Sequence, residues 1–155
     1  MLVSDQQYMQ EALKEAQRAF DEDEVPVGAV IVHRGRIIAR AHNQTRRLKD
    51  PTAHAEMVAI TQAASALQDE RLADCLLYTT VEPCVMCAGA AVWARIKRLV
   101  FGAADPKAGA CGSIVNVLAN ERLNHHVEVT AGVGDDAAGA LMTEFFERLR
   151  QQGKS

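Results

Sequence analysis

Aromatic residues and proline are scarce: the 155 residues hold one tryptophan, four prolines and ten glycines, which excludes collagen-like and Pro/Gly-rich disordered classes. Positive charge is not in excess either. With a formal net charge of −3, the chain advertises no general affinity for polyanions, so any nucleic-acid contact must be a local basic patch. No apolar run approaches the length needed to span a bilayer. The opening Met1-Leu2-Val3-Ser4-Asp5 lacks the basic and apolar regions of a secretion signal. The expected location is therefore cytoplasmic, with no membrane association. Four cysteines, at 75, 84, 87 and 111, are too few for a small disulfide scaffold. In a reducing compartment, the Cys84-x-x-Cys87 pair points to metal or redox chemistry. Repeats and low-complexity segments are missing, and residues 1–155 are expected to form one domain.

What is present alternates between strand and helix patterns. Met9, Leu13, Ala16 and Phe20 recur at helical spacing behind a candidate N-cap, Ser4. The apolar run Val25 to Val32 reads as a buried strand, His33 to Arg36 as a hairpin turn and Ile37 to Ala41 as the partner strand. His42 to Thr52 is polar and loop-like. Helical propensity resumes from His54 to Leu67, Leu76 to Thr80 favours a strand, and Pro83 stands where the N1 residue of a helix from Cys84 to Ala94 would be. Leu99 to Phe101 and Val127 to Val129 complete the strands, and Ala137 to Arg150 carries a helical stripe of Leu141, Phe145 and Leu149. The order β-β-α-β-α-β-α-β-α predicts a three-layer α/β/α architecture around a mixed sheet, with ligands at strand carboxyl ends.

Cys84 and Cys87, three apart in a first helical turn, put both sulfurs on one side, where they can share an ion. His54 begins another helix. One imidazole and two thiolates leave the fourth tetrahedral position for water, as in a catalytic zinc site. A closed structural site would need a fourth protein ligand. Cys75 lies before a strand and Cys111 in a Gly-rich loop, Cys111 being the better of two poor candidates. Two thiolates cancel the charge of Zn²⁺ and so weaken its acidification of water, which calls for a protein base. Glu56, two residues from His54, is off the ligand face, yet its long side chain can lean over that water.

His54-Ala55-Glu56 followed by Pro83-Cys84-Val85-Met86-Cys87 resembles the H-x-E…P-C-x-x-C signature of the cytidine and deoxycytidylate deaminase superfamily. The resemblance implies an about five-stranded cytidine-deaminase-like sheet, one Zn²⁺ per subunit on His54, Cys84 and Cys87, and Glu56 as proton shuttle. Within that superfamily, Asp50 to Glu56, Glu82 to Ala90, Phe101-Gly102-Ala103, Gly109 to Ser113, Leu123 to Val127 and the Phe145-Phe146 helix are similar to bacterial tRNA-specific adenosine deaminases. That likeness implies hydrolysis of adenosine to inosine at the wobble position of a tRNA anticodon loop, by a homodimer. It further implies that Asn43 and Asp105 contact the substrate, and Val27 with Pro26 is expected to wall the base pocket. Arg46, Arg47 and Lys49, just before the His-Ala-Glu helix, are the candidate phosphate contacts. Two alternatives stay open: a deaminase of a free base or nucleoside, of guanine or cytosine type, and a non-enzymatic zinc-stabilised binding module.

Overall fold

The computed structural model describes residues 3–153. Ser4 caps the first helix, α1 (Asp5–Asp21), through a reciprocal box: the Gln7 amide donates to the Ser4 hydroxyl and the Ser4 amide to the Gln7 side chain. The buried face of α1 is Tyr8, Met9, Ala12, Ala16 and Ala19, and its alanines let the helix lie close upon strand β1 (Gly28–His33). At the contact, a side chain on Gly28 would collide with the backbone of Ala12 and Ala16.

A tight turn leads to β2 (Arg36–His42), followed by the short α2 (Thr45–Leu48) and by α3 (Ala55–Leu67). Strand β3 (Cys75–Val81) then feeds α4 (Val85–Trp93), and β4 (Arg98–Ala103) and β5 (Glu128–Ala131) precede α5 (Asp135–Gln151). The sheet order is β2-β1-β3-β4-β5, antiparallel on both sides of β1 and parallel from β3 through β5. This is the mixed five-stranded sheet that the sequence pattern and its resemblance imply.

Strand alternation divides the core. Ala29, Ile31, Leu77, Leu99 and Phe101 join Ala55, Ala59, Ala63, Ala88 and Ala91 of α3 and α4, whereas Val30, Val32, Tyr78 and Val100 join Tyr8, Met9 and Ala12 of α1. One sheet face thus takes α3 and α4, and the other takes α1, with α5 packed on β4 and α1. No helix among the described residues is long and apolar enough to cross a membrane.

Three local expectations give way. The polar stretch after β2 contains α2, because the buried carboxylate of Glu24 accepts from the amides of Arg46 at 3.1 Å and Arg47 at 2.7 Å, satisfying donors the helix leaves open. Pro83 lies one position before the N-cap of α4. Cys84 holds that cap with an extended backbone (φ −75°, ψ 177°). Between β4 and β5 the expected helix is replaced by irregular chain and a single 3₁₀ turn, Val117–Ala119.

An ion-pair cluster ties α1 to the sheet. Arg98 donates to both Asp5 oxygens, at 3.0 and 2.6 Å, and the Tyr78 hydroxyl donates to Asp5 Oδ1 at 2.6 Å. The Arg98 hydrogen bonds, aided by Tyr78, hold the Asp5 carboxyl below its ordinary value against the opposing effect of burial. A depressed folded value contributes stability above the ordinary aspartate range near ~4 and loses it as pH falls through the folded value. Asp5→Ala is accordingly expected to cost about 1.5–3 kcal/mol at neutral pH. In urea unfolding, the gap from the unsubstituted protein should narrow below about pH 4, and a gap constant through that range would contradict the assignment.

Candidate active site

The topology gathers one end of the sheet. Gly28 at the start of β1 pairs with His42 at the end of β2, and Val81 of β3 lies opposite Ala103 of β4. The segments leaving these points carry Val27, Asn43, Glu82 and Asp105, and the first turns of α3 and α4 meet them. Between them lies a cavity of about 190 Å³, lined by Val25, Val27, Asn43, Thr45, His54, Glu56, Val81, Glu82, Cys84, Asp105, Ala108 and, from α5, Met142. Pro26 is not part of this lining. A larger hollow of about 560 Å³ between α1 and the β1–β2 turn is open and lined by Gln7, Gln10, Glu11, Arg36 and Arg40 among others. It contains none of the residues selected from the sequence.

His54 and Cys84 are the N-caps of α3 and α4, and neither side chain caps its own helix. Both are left available, at helix ends whose partial positive charge favours thiolate. His54 Nδ1 lies 3.6 Å from the sulfur of Cys84 and 3.6 Å from that of Cys87, and the sulfurs are 3.8 Å apart. Tetrahedral zinc, with bonds of about 2.3 Å to sulfur and 2.0–2.1 Å to nitrogen, requires edges of about 3.8 Å between sulfurs and about 3.6 Å between sulfur and nitrogen. The triangle has the edge lengths that three ligands of a tetrahedral zinc would need, and these three residues could hold a metal ion. Cys111 does not join this cluster, and neither does Cys75, at the other end of β3 from Val81.

Electrostatics at the triangle favour one thiolate, on Cys84. The hydrogen bond from Cys87 is the main cause lowering the Cys84 thiol, to about 3, with His54 contributing. Cys87 is pushed upward by its bond to Cys84 and by burial, so a single thiolate forms first. The Cys84 sulfur likewise raises His54. Glu56 is 3 % exposed, its Oε1 has no hydrogen-bond partner, and burial pushes its carboxyl up to about 7. A buried, unsatisfied acceptor costs free energy and marks a group awaiting a donor.

Asn43 and Asp105 line the cavity, and each keeps an acceptor oxygen. Asn43 Nδ2 donates to the Thr45 hydroxyl at 3.2 Å, an orientation that leaves the amide oxygen for a ligand. Asp105 Oδ1 accepts from the amides of Lys107 and Ala108, leaving Oδ2. The basic trio before α3 lies on and just after α2. Arg46 Nη1 donates to the Asp23 carbonyl at 2.9 Å, Arg47 pairs with Glu22 at 3.1 Å, and Lys49 is the exposed, left-handed C-cap.

Sequence reasoning passed over Glu82 as an individual residue. It lines the cavity, is 4 % exposed and accepts four hydrogen bonds from the segment after β4. Its place directly before Pro83-Cys84 was the only available signal.

The sequence model of the MafB19-like deaminase family matches residues 3–150. The tRNA-specific adenosine deaminase of Bacillus subtilis is 47% identical over 99% of this chain and 96% of its own length. That of Aquifex aeolicus is 48% identical over 92% and 94%. A solved structure from a study of A-to-I editing by tRNA:A34 deaminases at the wobble position superposes with a TM-score of 0.84 at 47% identity, covering 86% of this chain and 97% of that one. A guanine deaminase from Nitrosomonas europaea reaches 0.79 at 30% identity, covering 94% and 86%. With this extent of identity on top of the His/Cys/Cys triangle and the buried Glu56, the chain belongs to the deaminase family that the tRNA-specific adenosine deaminases represent.

Proposed function

We propose that this chain hydrolyses adenosine to inosine at the wobble position of tRNA, with Zn²⁺ held by His54, Cys84 and Cys87 and with Glu56 as the proton shuttle. The observation that carries the chemistry is the unpartnered Glu56 Oε1, buried beside a triangle of ligand atoms with zinc-like edges. Zinc held there supplies a water of lowered pKa and fixed position, though two thiolates offset much of its charge. The remaining work falls to the chain. Glu56 takes a proton from the attacking water and passes it to the ring nitrogen of adenine, then takes the proton of the new C6 hydroxyl and delivers it to the departing amine, leaving the C6 carbonyl of inosine. Across the reaction a C6–O bond forms, the C6–N bond breaks and ammonia leaves, with no change of oxidation state.

Val27 packs along the base, and the free oxygens of Asn43 and Asp105 accept hydrogen bonds from the nucleoside. The cavity is smaller than the ~300–1,000 Å³ pockets that enclose drug-sized ligands, so it suits one flipped heterocycle with the rest of the polynucleotide outside. An anticodon base is already unpaired, which lowers the cost of extrusion.

Arg46, Arg47 and Lys49 meet the phosphates beside the reacting base in this reading. Neutralising all three should flatten the slope of log affinity against log salt for an anticodon stem-loop by up to about 2, at ~0.7 per single-strand phosphate. An unchanged slope would reject the patch. The homodimer expected from the resemblance draws support from the uncharged sequence of α4, where Val85 is 59 % and Trp93 81 % exposed. A cytoplasmic site of action accords with a tRNA substrate.

The likeness to a guanine deaminase favours a second reading, a free-base enzyme using the same residues. Ammonia release from an anticodon stem-loop, adenosine and guanine, compared at equal enzyme, separates the two. The proposal expects turnover of the stem-loop above both small substrates. Preference for guanine would select the second reading, and no release from any substrate would leave a zinc-stabilised binding module.

A further inference from the structure

We infer that Glu82 is a positioning residue that sets substrate affinity by fixing the 105–113 wall of the pocket. The inference rests on the deaminase reading above but concerns a residue outside its chemistry. Glu82 Oε1 accepts from the Asp105 amide at 3.0 Å and the Ser113 hydroxyl at 2.5 Å, and Oε2 accepts from the amides of Cys111 at 2.9 Å and Ser113 at 3.1 Å. Four donors from three residues converge on one carboxylate, which as an ion has acceptors alone. The segment is wound around it. Gly109 passes so close that a Cβ there would enter the carboxylate. Further contacts complete the wrap: the Ala110 amide donates to the Pro83 carbonyl at 2.8 Å, and the Gly109 amide to that of Asp105 at 2.8 Å.

Burial opposes the charged form of Glu82, and the four donors outweigh it, leaving its carboxyl below the ordinary value. The charge is therefore maintained through the neutral range. Glu82 touches neither the ligand triangle nor Glu56 by any hydrogen bond among the described residues. What it holds directly is Asp105, which in turn holds the Ala108 amide, and both line the cavity.

Glutamine tests the role because it keeps the shape and loses half the acceptors. With its NH₂ at the Oε2 position it would confront two backbone donors. At Oε1 it confronts one, Asp105 N–H, since the Ser113 hydroxyl can turn to accept. Glu82→Gln should therefore release the Asp105 arm selectively. In zinc-loaded protein, exchange of the Asp105 amide is expected to accelerate roughly tenfold or more, while Cys111 and Ser113 stay protected. With anticodon stem-loop RNA, KM should rise roughly tenfold and kcat stay within about threefold, the split expected when binding rather than chemistry is lost.

Gly109→Ala should reproduce the KM effect by displacing the same carboxylate, and the double variant should be no worse than either alone. Should Glu82→Gln fail to fold, Ser113→Ala, which removes one hydroxyl, should show a smaller KM increase in the same direction. Unchanged Asp105 exchange, or a fall in kcat at unchanged KM, overturns the inference. If the unsubstituted enzyme does not act on the stem-loop, the functional reading fails, and amide exchange still decides the positioning role.

Discussion

Glu56→Ala is expected to slow deamination of an anticodon stem-loop by at least about 10²–10⁴-fold, the usual contribution of a general acid–base group, while leaving bound zinc and the fold intact. The expectation follows from geometry. Glu56 belongs to the first turn of α3 but is not among the atoms that form the ligand triangle, and its Oε1 lies buried without a partner. Removing the carboxyl relieves the buried, unpartnered Oε1 but also frees the Glu56 amide and the Cys87 thiol that it engages, so thermal stability should change little. Single-turnover kinetics at saturating enzyme, with metal analysis of the same sample, isolates the chemical step from binding. A zinc-loaded variant reacting at the unsubstituted rate would remove Glu56 from the mechanism, and loss of zinc would make it a ligand.

Replacing His54, Cys84 or Cys87 by alanine is expected to abolish activity through loss of metal. Each supplies one corner of the triangle, and no fourth His, Cys, Asp or Glu joins the cluster among the described residues. Metal affinity should fall by more than the ~10–100-fold typical of losing a residue that merely orients a ligand. Because His54 and Cys84 cap two different helices and Cys87 lies in the first turn of the second, zinc bound there would also staple α3 to α4. Chelation should then lower the unfolding temperature, since a ligand at a hundredfold excess over its dissociation constant stabilises the native state by ~2.7 kcal/mol. Full zinc occupancy in any of the three purified variants would refute that ligand.

The grouping of His54, Cys84 and Cys87 was legible in the sequence because much of its geometry is local: a Cys-x-x-Cys spacing at a helix start fixes two sulfurs on one side, and the His-Ala-Glu segment opens another helix. The two faces of the sheet were not legible in this way: Val30, Val32, Tyr78 and Val100 are as apolar as Ala29, Ile31, Leu77 and Leu99, and only their packing on α1 or on α3 and α4 separates them. What stayed hidden depends on partners distant in the chain. Glu24 builds α2 from 22 and 23 residues away, and Glu82 holds amides 23, 29 and 31 residues on. Neither a lone acidic residue nor its turn-forming target carries a periodicity that announces the other. Pro83 shows a different limit. Proline favours the first helical turn in general, but here the extended backbone of Cys84 takes the cap and moves the helix start one residue on.

The central claim is conversion of a tRNA wobble adenosine to inosine at a zinc site served by Glu56. The most direct measurement incubates the purified zinc-loaded protein with bulk tRNA and sequences the products for inosine, with the Glu56→Ala protein in parallel. Inosine at the first anticodon position, formed by the unsubstituted protein and not by the variant, is the predicted result. Bulk tRNA that keeps adenosine at every wobble position, under conditions where the same protein releases ammonia from free guanine, would contradict it.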